Sequence, residues 1–129
     1  MQAQAYLILI WTSDGTLDDV LRFALQRMGH NCTKLTTDNE HHLLDAVPPA
    51  NTLIFVIGPH IKPDDVRRVL HRYQQHCIIK ALILTRNTRS TLEEDPHLLP
   101  AGYLRCPLPL ELQCLTDAIR ELVTDDAGV

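Results

Sequence analysis

The sequence predicts an α/β fold built on a parallel sheet with helices on both faces. Residues 5–11 (AYLILIW), and residues 53–57 within the segment 52–58 (TLIFVIG), are apolar without interruption. A strand with one face in water alternates apolar and polar residues, so continuous apolar runs indicate strands buried on both faces. Such strands alternate along the chain with segments of helical apolar spacing, which is the pattern of parallel sheets with right-handed crossovers.

The composition is that of a soluble single domain. The chain has 129 residues, of which 45% are hydrophobic and 22% charged, and this is enough for one hydrophobic core. A net charge of -4 without a dense basic cluster argues against direct nucleic-acid binding. No apolar run reaches the length of a membrane span, and residues 1–4 lack the basic segment of a signal peptide. We expect one domain over 1–129, with a folded core at about 5–123 and a polar tail at 124–129.

The cysteine and histidine patterns predict neither a disulfide framework nor a metal site. The four cysteines form no C-x-x-C pair, which favours free thiols in a cytoplasmic protein. Adjacent His41 and His42 would point to different sides of a helix, and His71 and His76 are five residues apart. We therefore expect no metal and no cofactor. The histidines are interpreted as solvated side chains, with a pH response as the alternative.

The first helix is predicted to follow the turn after the first strand. Thr16 is the expected N-cap, Asp18 and Asp19 suit the positive end of the helix dipole, and Gly29 ends the helix. The hydroxyl-rich turn at 12–16 has an alternative interpretation as an anion loop, but the nearby aspartates favour an ordinary cap. The helical apolar positions are Leu17, Val20, Leu21, Ala24, Leu25 and Met28.

The middle of the chain supplies an edge strand, two helices and a central strand. Residues 31–36 are short and more polar, which suits a sheet edge. A short helix is predicted from Asp38 or Asn39 through Ala46, followed by the central strand at 52–58. Pro63 suits the first position of the next helix. Its apolar stripe consists of Val66, Val69, Leu70 and Tyr73.

The last third predicts two strands, an irregular segment and a final helix. A strand at 78–84 ends at Thr85, and Pro96 and Pro100 allow only one or two helical turns within 86–100. A short strand at 102–105 is followed by a helix at 110–123, whose core stripe is Leu112, Leu115, Ile119 and Leu122. Five strands of this length favour the flavodoxin-like order 2-1-3-4-5, with the fourth helix short or irregular.

The segment at 101–107 (AGYLRCP) is similar to the G-Y/F-x-x-K-P-F motif of the receiver domains of bacterial two-component response regulators. Thr85 matches the Thr or Ser that follows the phosphoryl group in receivers, and Pro63 matches a proline shortly after their phosphorylation site. The resemblance covers essentially the whole chain. It also implies a cis bond between Cys106 and Pro107.

The chemical residues of receivers are replaced in this chain. Their paired metal-binding acids match Trp11 and Thr12, the phosphoryl-accepting Asp matches Pro59, and the strand Lys matches Cys106. Phosphoryl transfer needs a nucleophile, a divalent ion and a cation on the phosphoryl oxygens. The resemblance therefore implies a degenerate pseudo-receiver with no enzymatic activity. Trp11, Thr12, Pro59, Thr85, Cys106 and Pro107 form its expected pocket.

The resemblance implies a bacterial signalling domain that acts through protein contact. The expected partner is another copy or an output domain, such as a transcription regulator or sensor kinase, and the chain is either stand-alone or excised from a larger regulator. The receiver face used for such contacts matches 86–123, where Tyr103 belongs to the switch scaffold. A short fourth helix is expected to uncover Leu110, Cys114 and Ala118, unless the preceding loop folds over them.

A small-molecule sensor is the alternative function. Apolar replacement of the acids would make a pocket at Trp11, Pro59, Thr85 and Cys106 suitable for an apolar or redox ligand. Neighbouring Arg105 would make Cys106 reactive by lowering the pKa of its thiol. The competing interpretation is that Cys106 only fills the space of the lost Lys.

Overall fold

The computed structural model describes residues 6–36, 52–86, 91–93 and 97–127, and within them it contains a five-stranded parallel sheet of order β2-β1-β3-β4-β5. This confirms the predicted flavodoxin-like α/β fold. The predicted helix at 38–46 lies outside the described residues. The strands are β1 (Tyr6–Trp11), β2 (Asn31–Lys34), β3 (Thr52–Ile57), β4 (Ile78–Thr85) and β5 (Leu104–Pro107). The helices are α1 (Gly15–Arg27), α2 (Pro63–Gln74) and α3 (Leu112–Ala127).

The central strand β3 is buried along its whole length, as its continuous apolar sequence predicts. Its alternate residues point to two separate cores, one on each face of the sheet. The first core lies under α2 and includes Leu9, Trp11, Leu53, Phe55, Ile57, Val66, Leu70 and Tyr73. The second lies under α1 and α3 and includes Ile8, Ile10, Leu21, Leu25, Ile54, Val56, Leu115 and Ile119.

Helix α1 begins earlier than predicted because Asp14, and not Thr16, is its N-cap. The Asp14 carboxylate accepts hydrogen bonds from the backbone N–H groups of Thr16 and Leu17, at 2.9 and 3.2 Å. A side-chain oxygen at this position satisfies N–H groups that have no partner within the helix. The predicted end is confirmed, since Gly29 has a φ of 89°, which glycine adopts without steric cost.

The segment between β4 and β5 is irregular, as its prolines predict. The described part contains a single 3₁₀ turn, Thr91–Glu93, in place of a full helix. Leu92, Leu98 and Leu99 are buried against the α2 face of the sheet. This short segment therefore still covers the core on that face.

The boundaries of the last two elements differ from the prediction. Strand β5 is Leu104–Pro107, and not 102–105, because Gly102 (φ 82°) and the Tyr103 N–H bonded to the Pro100 carbonyl (3.2 Å) form a turn before it. Helix α3 starts at Leu112, since the two prolines before it disfavour helix. It extends to Ala127 because the residues at 124–127 include no helix breaker, so the expected polar tail is helical there.

The predicted cis bond at Cys106–Pro107 is wrong. The cis peptide bond in the described residues is Leu108–Pro109. Pro107 continues β5 opposite Thr85, and the Leu108 N–H donates to the Thr85 carbonyl at 2.9 Å. The chain therefore remains extended past Cys106 and turns two residues later. Among the described helices, none combines the length and the apolar character needed to cross a membrane.

Candidate functional site

A crevice of about 470 Å³ opens at the carboxyl ends of β1, β2 and β3. This is the edge at which open parallel sheets place their functional residues. Its polar wall includes the side chains of Ser13, Lys34, His60, Lys62 and Asp65. We call it the strand-end crevice. The sequence predicted a pocket with an apolar lining. This crevice instead carries basic and polar side chains on its wall.

The structure does not bring the predicted pocket residues together. Trp11 is 7% exposed and packs into the core under α2, whereas Cys106 is fully buried in the core under α1 and α3. Thr85 is also buried, at the end of β4. Of the six predicted residues, Trp11 and Thr12 line the strand-end crevice. The separation follows from strand geometry, because neighbouring positions of a strand point to opposite faces of the sheet.

The end of β1 is organised for capping. Thr12 is buried, and its hydroxyl donates to the Asp14 backbone carbonyl at 3.0 Å. The Asp14 carboxylate caps α1 through Oδ1, so the acid closest in sequence to the receiver metal positions already holds two backbone N–H groups. Capping and metal coordination would compete for the same carboxylate.

The end of β3 comes into close contact with the end of β1 through a glycine. The Gly58 N–H donates to the Trp11 carbonyl at 2.8 Å. A Cβ added at Gly58 would lie 2.8 Å from Thr12 Cγ2 and 2.9 Å from Thr12 Cβ, which is closer than van der Waals contact allows. The chain then turns through Pro59 into His60, whose φ of 71° is uncommon for a residue with a side chain. Gly58 and His60 were not identified from the sequence, although a glycine ending a buried strand is a signal of close backbone approach.

Cys106 is not a reactive thiol at the crevice mouth. The Cys114 thiol donates to Cys106 Sγ at 2.7 Å, and both cysteines are free. Burial raises the pKa of the Cys106 thiol to about 12, and the hydrogen bond from Cys114 adds to the shift. The expectation that Arg105 lowers this pKa is wrong. Arg105 instead turns outward, where its guanidinium lies 3.2 Å from the Glu93 carboxylate. The structure supports the interpretation of Cys106 as a small residue that fills the core.

The raised pKa of Cys106 predicts a loss of stability at alkaline pH. An unfolded thiol ionises near pH 9, whereas folded Cys106 stays protonated until about pH 12. The folded state therefore binds more protons in this interval, and the free energy of unfolding should fall by at most about 1.4 kcal/mol per pH unit above pH 9. Urea unfolding at pH 8 and pH 10 measures this. Cys106→Ala should lose less stability between the two pH values than the parent protein, and an equal loss would contradict the assignment.

The predicted switch residue Tyr103 is fixed by hydrogen bonding to the short 3₁₀ turn. Its hydroxyl donates to Glu93 Oε1 at 2.8 Å, while Arg105 donates to Glu93 Oε2 at 3.2 Å. The Glu93 side chain is 9% exposed and is therefore largely shielded from water, whereas the Arg105 side chain is 45% exposed. It connects β5 to the segment that replaces the fourth helix.

The predicted apolar strip of Leu110, Cys114 and Ala118 is not uncovered. Ala118 is 8% exposed, and Leu110 and Cys114 are half-buried against the core under α1 and α3. The exposed apolar side chains lie beside it: Leu112 on α3, and Val20 and Phe23 on α1. Val20 was predicted as one of the apolar positions of α1 at helical spacing, and Leu112 as part of the core stripe of α3. Phe23 lies outside the predicted apolar positions of α1, and this was the signal in the sequence that Phe23 is exposed.

Asp18, which the sequence predicts only as a partner of the helix dipole, is a buried acid. Its side chain is 4% exposed, and Oδ2 lies 3.6 Å from the ammonium group of Lys34 on β2. Oδ1 has no hydrogen-bond partner among the described residues. The ion pair connects the first turn of α1 to the edge strand. It also places Lys34 between Asp18 and the strand-end crevice.

The part of the chain that the structure describes contains no group of three or more acidic, histidine or cysteine side chains arranged to hold a metal ion. His41 and His42 lie outside the described residues. His71 is exposed and lies 3.2 Å from the Gln75 amide nitrogen, and partial burial lowers the pKa of His30.

No protein-family model matches the sequence, and no curated protein is significantly similar to it. The flavodoxin-like fold is thus established by the sheet order, while the resemblance to receiver domains stays a prediction based on the sequence motif.

Proposed function

We propose that the chain is a receiver-like signalling domain that acts by protein–protein contact and not by phosphoryl transfer. The observation that carries the proposal is the composition of the strand ends within a flavodoxin-like sheet. Trp11 ends β1 and Thr12 follows it, and Gly58 and Pro59 follow β3, at the edge where this fold places its chemistry. The scaffold of the fold is retained while the acidic side chains of a phosphorylation site are replaced.

Two acids close to this edge of the sheet take part in other contacts. Asp14 caps α1, and the Asp65 carboxylate lies 3.9 Å from the Arg68 guanidinium within α2. Transfer of a phosphoryl group to a carboxylate also needs a metal ion to neutralise the developing charge. Lys34 and Lys62 on the crevice wall oppose binding of such an ion by like charge. This electrostatic environment favours a non-catalytic role.

The proposed partners are a second copy of the chain or an output domain, attached or separate, such as a transcription regulator or a sensor kinase in a bacterial cytoplasm. The proposal draws support from the exposed apolar side chains on α1 and α3, because apolar patches on a small domain commonly mark partner sites.

Acetyl phosphate or beryllofluoride with Mg²⁺ should produce no adduct and no spectral change in this protein. Intact-mass spectrometry and amide NMR spectra measure the two effects, with a phosphorylatable receiver domain treated in parallel as the control. An added phosphoryl group that maps to an aspartate would overturn the proposal. Binding of a parental output domain, detected by calorimetry without any phosphoryl donor, is the positive result that the proposal requires.

A small-molecule sensor is the second candidate, and the strand-end crevice favours it. The basic side chains of Lys34, His60 and Lys62 suit an anionic ligand more than the apolar ligand expected from the sequence. Trp11 is the only tryptophan and lines the crevice, so quenching of its fluorescence distinguishes this candidate from a domain that binds only protein.

A further inference from the structure

Helix α1 presents an apolar centre to solvent. Phe23 is 63% exposed and Val20 is 49% exposed, and across a shallow groove Leu112 of α3 is 63% exposed. The groove has a volume of about 480 Å³ and continues to half-buried Met28 and Leu110. We call this surface the α1–α3 groove. When another surface covers exposed apolar side chains of this size, their apolar area is removed from water, which favours association.

The charges beside Phe23 are arranged symmetrically along α1. Asp19 lies four residues before Phe23 and Arg27 four residues after it, so each is about 6 Å from it along the helix axis. Both side chains are exposed, and neither forms a salt bridge with another described residue. The Arg27 guanidinium lies over the Phe23 ring, 5.5 Å from its centroid. Positions 19, 23 and 27 recur at helical spacing and face the same side.

This arrangement is complementary to itself when the helix is reversed. If two α1 helices pair antiparallel about a two-fold axis at Phe23, Asp19 of one copy lies level with Arg27 of the other. The symmetry repeats the pair on the other side of the axis, as an isologous interface requires. Any other partner would need its own matching series of charges, whereas a second copy of this chain already has one.

We propose that two copies of the chain associate through antiparallel pairing of α1, with Phe23 at the centre and an Asp19–Arg27 ion pair on each side. Val20 and Leu112 enlarge the apolar part of the contact. The inference rests on the proposed function, because it names a second copy as one of the partners of the domain. It replaces the predicted surface of Leu110, Cys114 and Ala118, since Ala118 is buried within a single copy.

The interface is small, so the dimer forms reversibly as concentration rises. Its specificity resides in the charge pairs, because charges across an interface fix register and reject wrong partners more than they add affinity. Reversal of one charge places like charges at both pairs of the dimer. The geometry therefore makes a prediction that a general hydrophobic association does not.

Sedimentation equilibrium of the full chain at several concentrations tests the proposal. Asp19→Arg and Arg27→Asp should each weaken the dimer by about tenfold or more when studied alone. An equimolar mixture of the two variants should restore association to about the parental level, because each ion pair of the mixed dimer then contains one acidic and one basic side chain. The double variant should also dimerise. Phe23→Glu should abolish the dimer, while Ile78→Glu is the matched control at a 53% exposed apolar residue on β4.

Circular dichroism of each variant establishes that the fold is intact. A chain that stays monomeric at all concentrations would overturn the inference, and so would a dimer whose affinity is unchanged by the single reversals or not restored in the mixture. A chain that stays monomeric but binds an output domain would contradict the dimer proposal alone. A chain that neither self-associates nor binds an output domain would contradict the proposed function as well.

Discussion

Replacement of Phe55 with alanine should lower the free energy of unfolding by about 3–5 kcal/mol. Phe55 is fully buried at the middle of β3, the central strand of the sheet. Its ring meets Tyr73 of α2 edge to face, with centroids 5.3 Å apart and planes at 89°. The substitution removes this aromatic contact and leaves a cavity that the surrounding sheet and helix cannot fill by small movements.

Urea denaturation followed by far-UV circular dichroism gives the free energy for Phe55→Ala. Phe23→Ala is the matched control, because it removes the same side chain from an exposed position on α1. At micromolar protein concentration the control should change the unfolding free energy by less than about 1 kcal/mol. Similar losses for the two variants would contradict the assignment of Phe55 to the core.

Replacement of Gly58 with alanine should destabilise the protein by about 1–3 kcal/mol, although alanine usually favours folding over glycine. The new methyl group would lie 2.8 Å from Thr12 Cγ2 and 2.9 Å from Thr12 Cβ. The ends of β1 and β3 would have to separate, which strains the hydrogen bond from the Gly58 N–H to the Trp11 carbonyl. The same movement would alter the strand-end crevice.

A double-mutant cycle with Thr12→Gly isolates the contact. Thr12→Gly removes both side-chain atoms that the methyl group meets, so the double variant should be more stable than the sum of the two single changes predicts. Thr12→Ser keeps the hydroxyl that donates to the Asp14 carbonyl and removes only Cγ2, so it should restore part of the loss. Additive free energies throughout the cycle would show that the cost arises elsewhere.

The candidate site was predicted in part. Continuous apolar strands identified the sheet, and the rule for parallel sheets then identified the edge where the strand-end crevice lies. The members of the site were harder to predict, because sequence position does not reveal which face of the sheet a side chain enters. Trp11 and Cys106 were assigned to one pocket, but they lie in cores on opposite faces.

The α1–α3 groove shows the same division between what local sequence patterns predict and what tertiary packing decides. Val20 and Leu112 occupy positions in apolar helical stripes, and Ala118 was placed outside one, yet Val20 and Leu112 are exposed and Ala118 is buried. A residue at the flank of a stripe is covered only when a neighbouring helix lies beside it. The first turn of α3, at Leu112, lies across a groove from α1, and Val20 on the flank of α1 stays exposed.

The sequence by itself determined the order of strands and helices along the chain, the burial of β1 and β3, and the identity of the residues at the strand ends. These properties follow from local apolar periodicity and from residue identity, which need no knowledge of distant contacts. Tertiary structure decided that Cys106 and Cys114 meet, that Glu93 joins Tyr103 to Arg105, and that the exposed apolar surface lies between α1 and α3. Each of these depends on the distance between segments far apart in the chain, which is set by the packing of whole helices against the sheet.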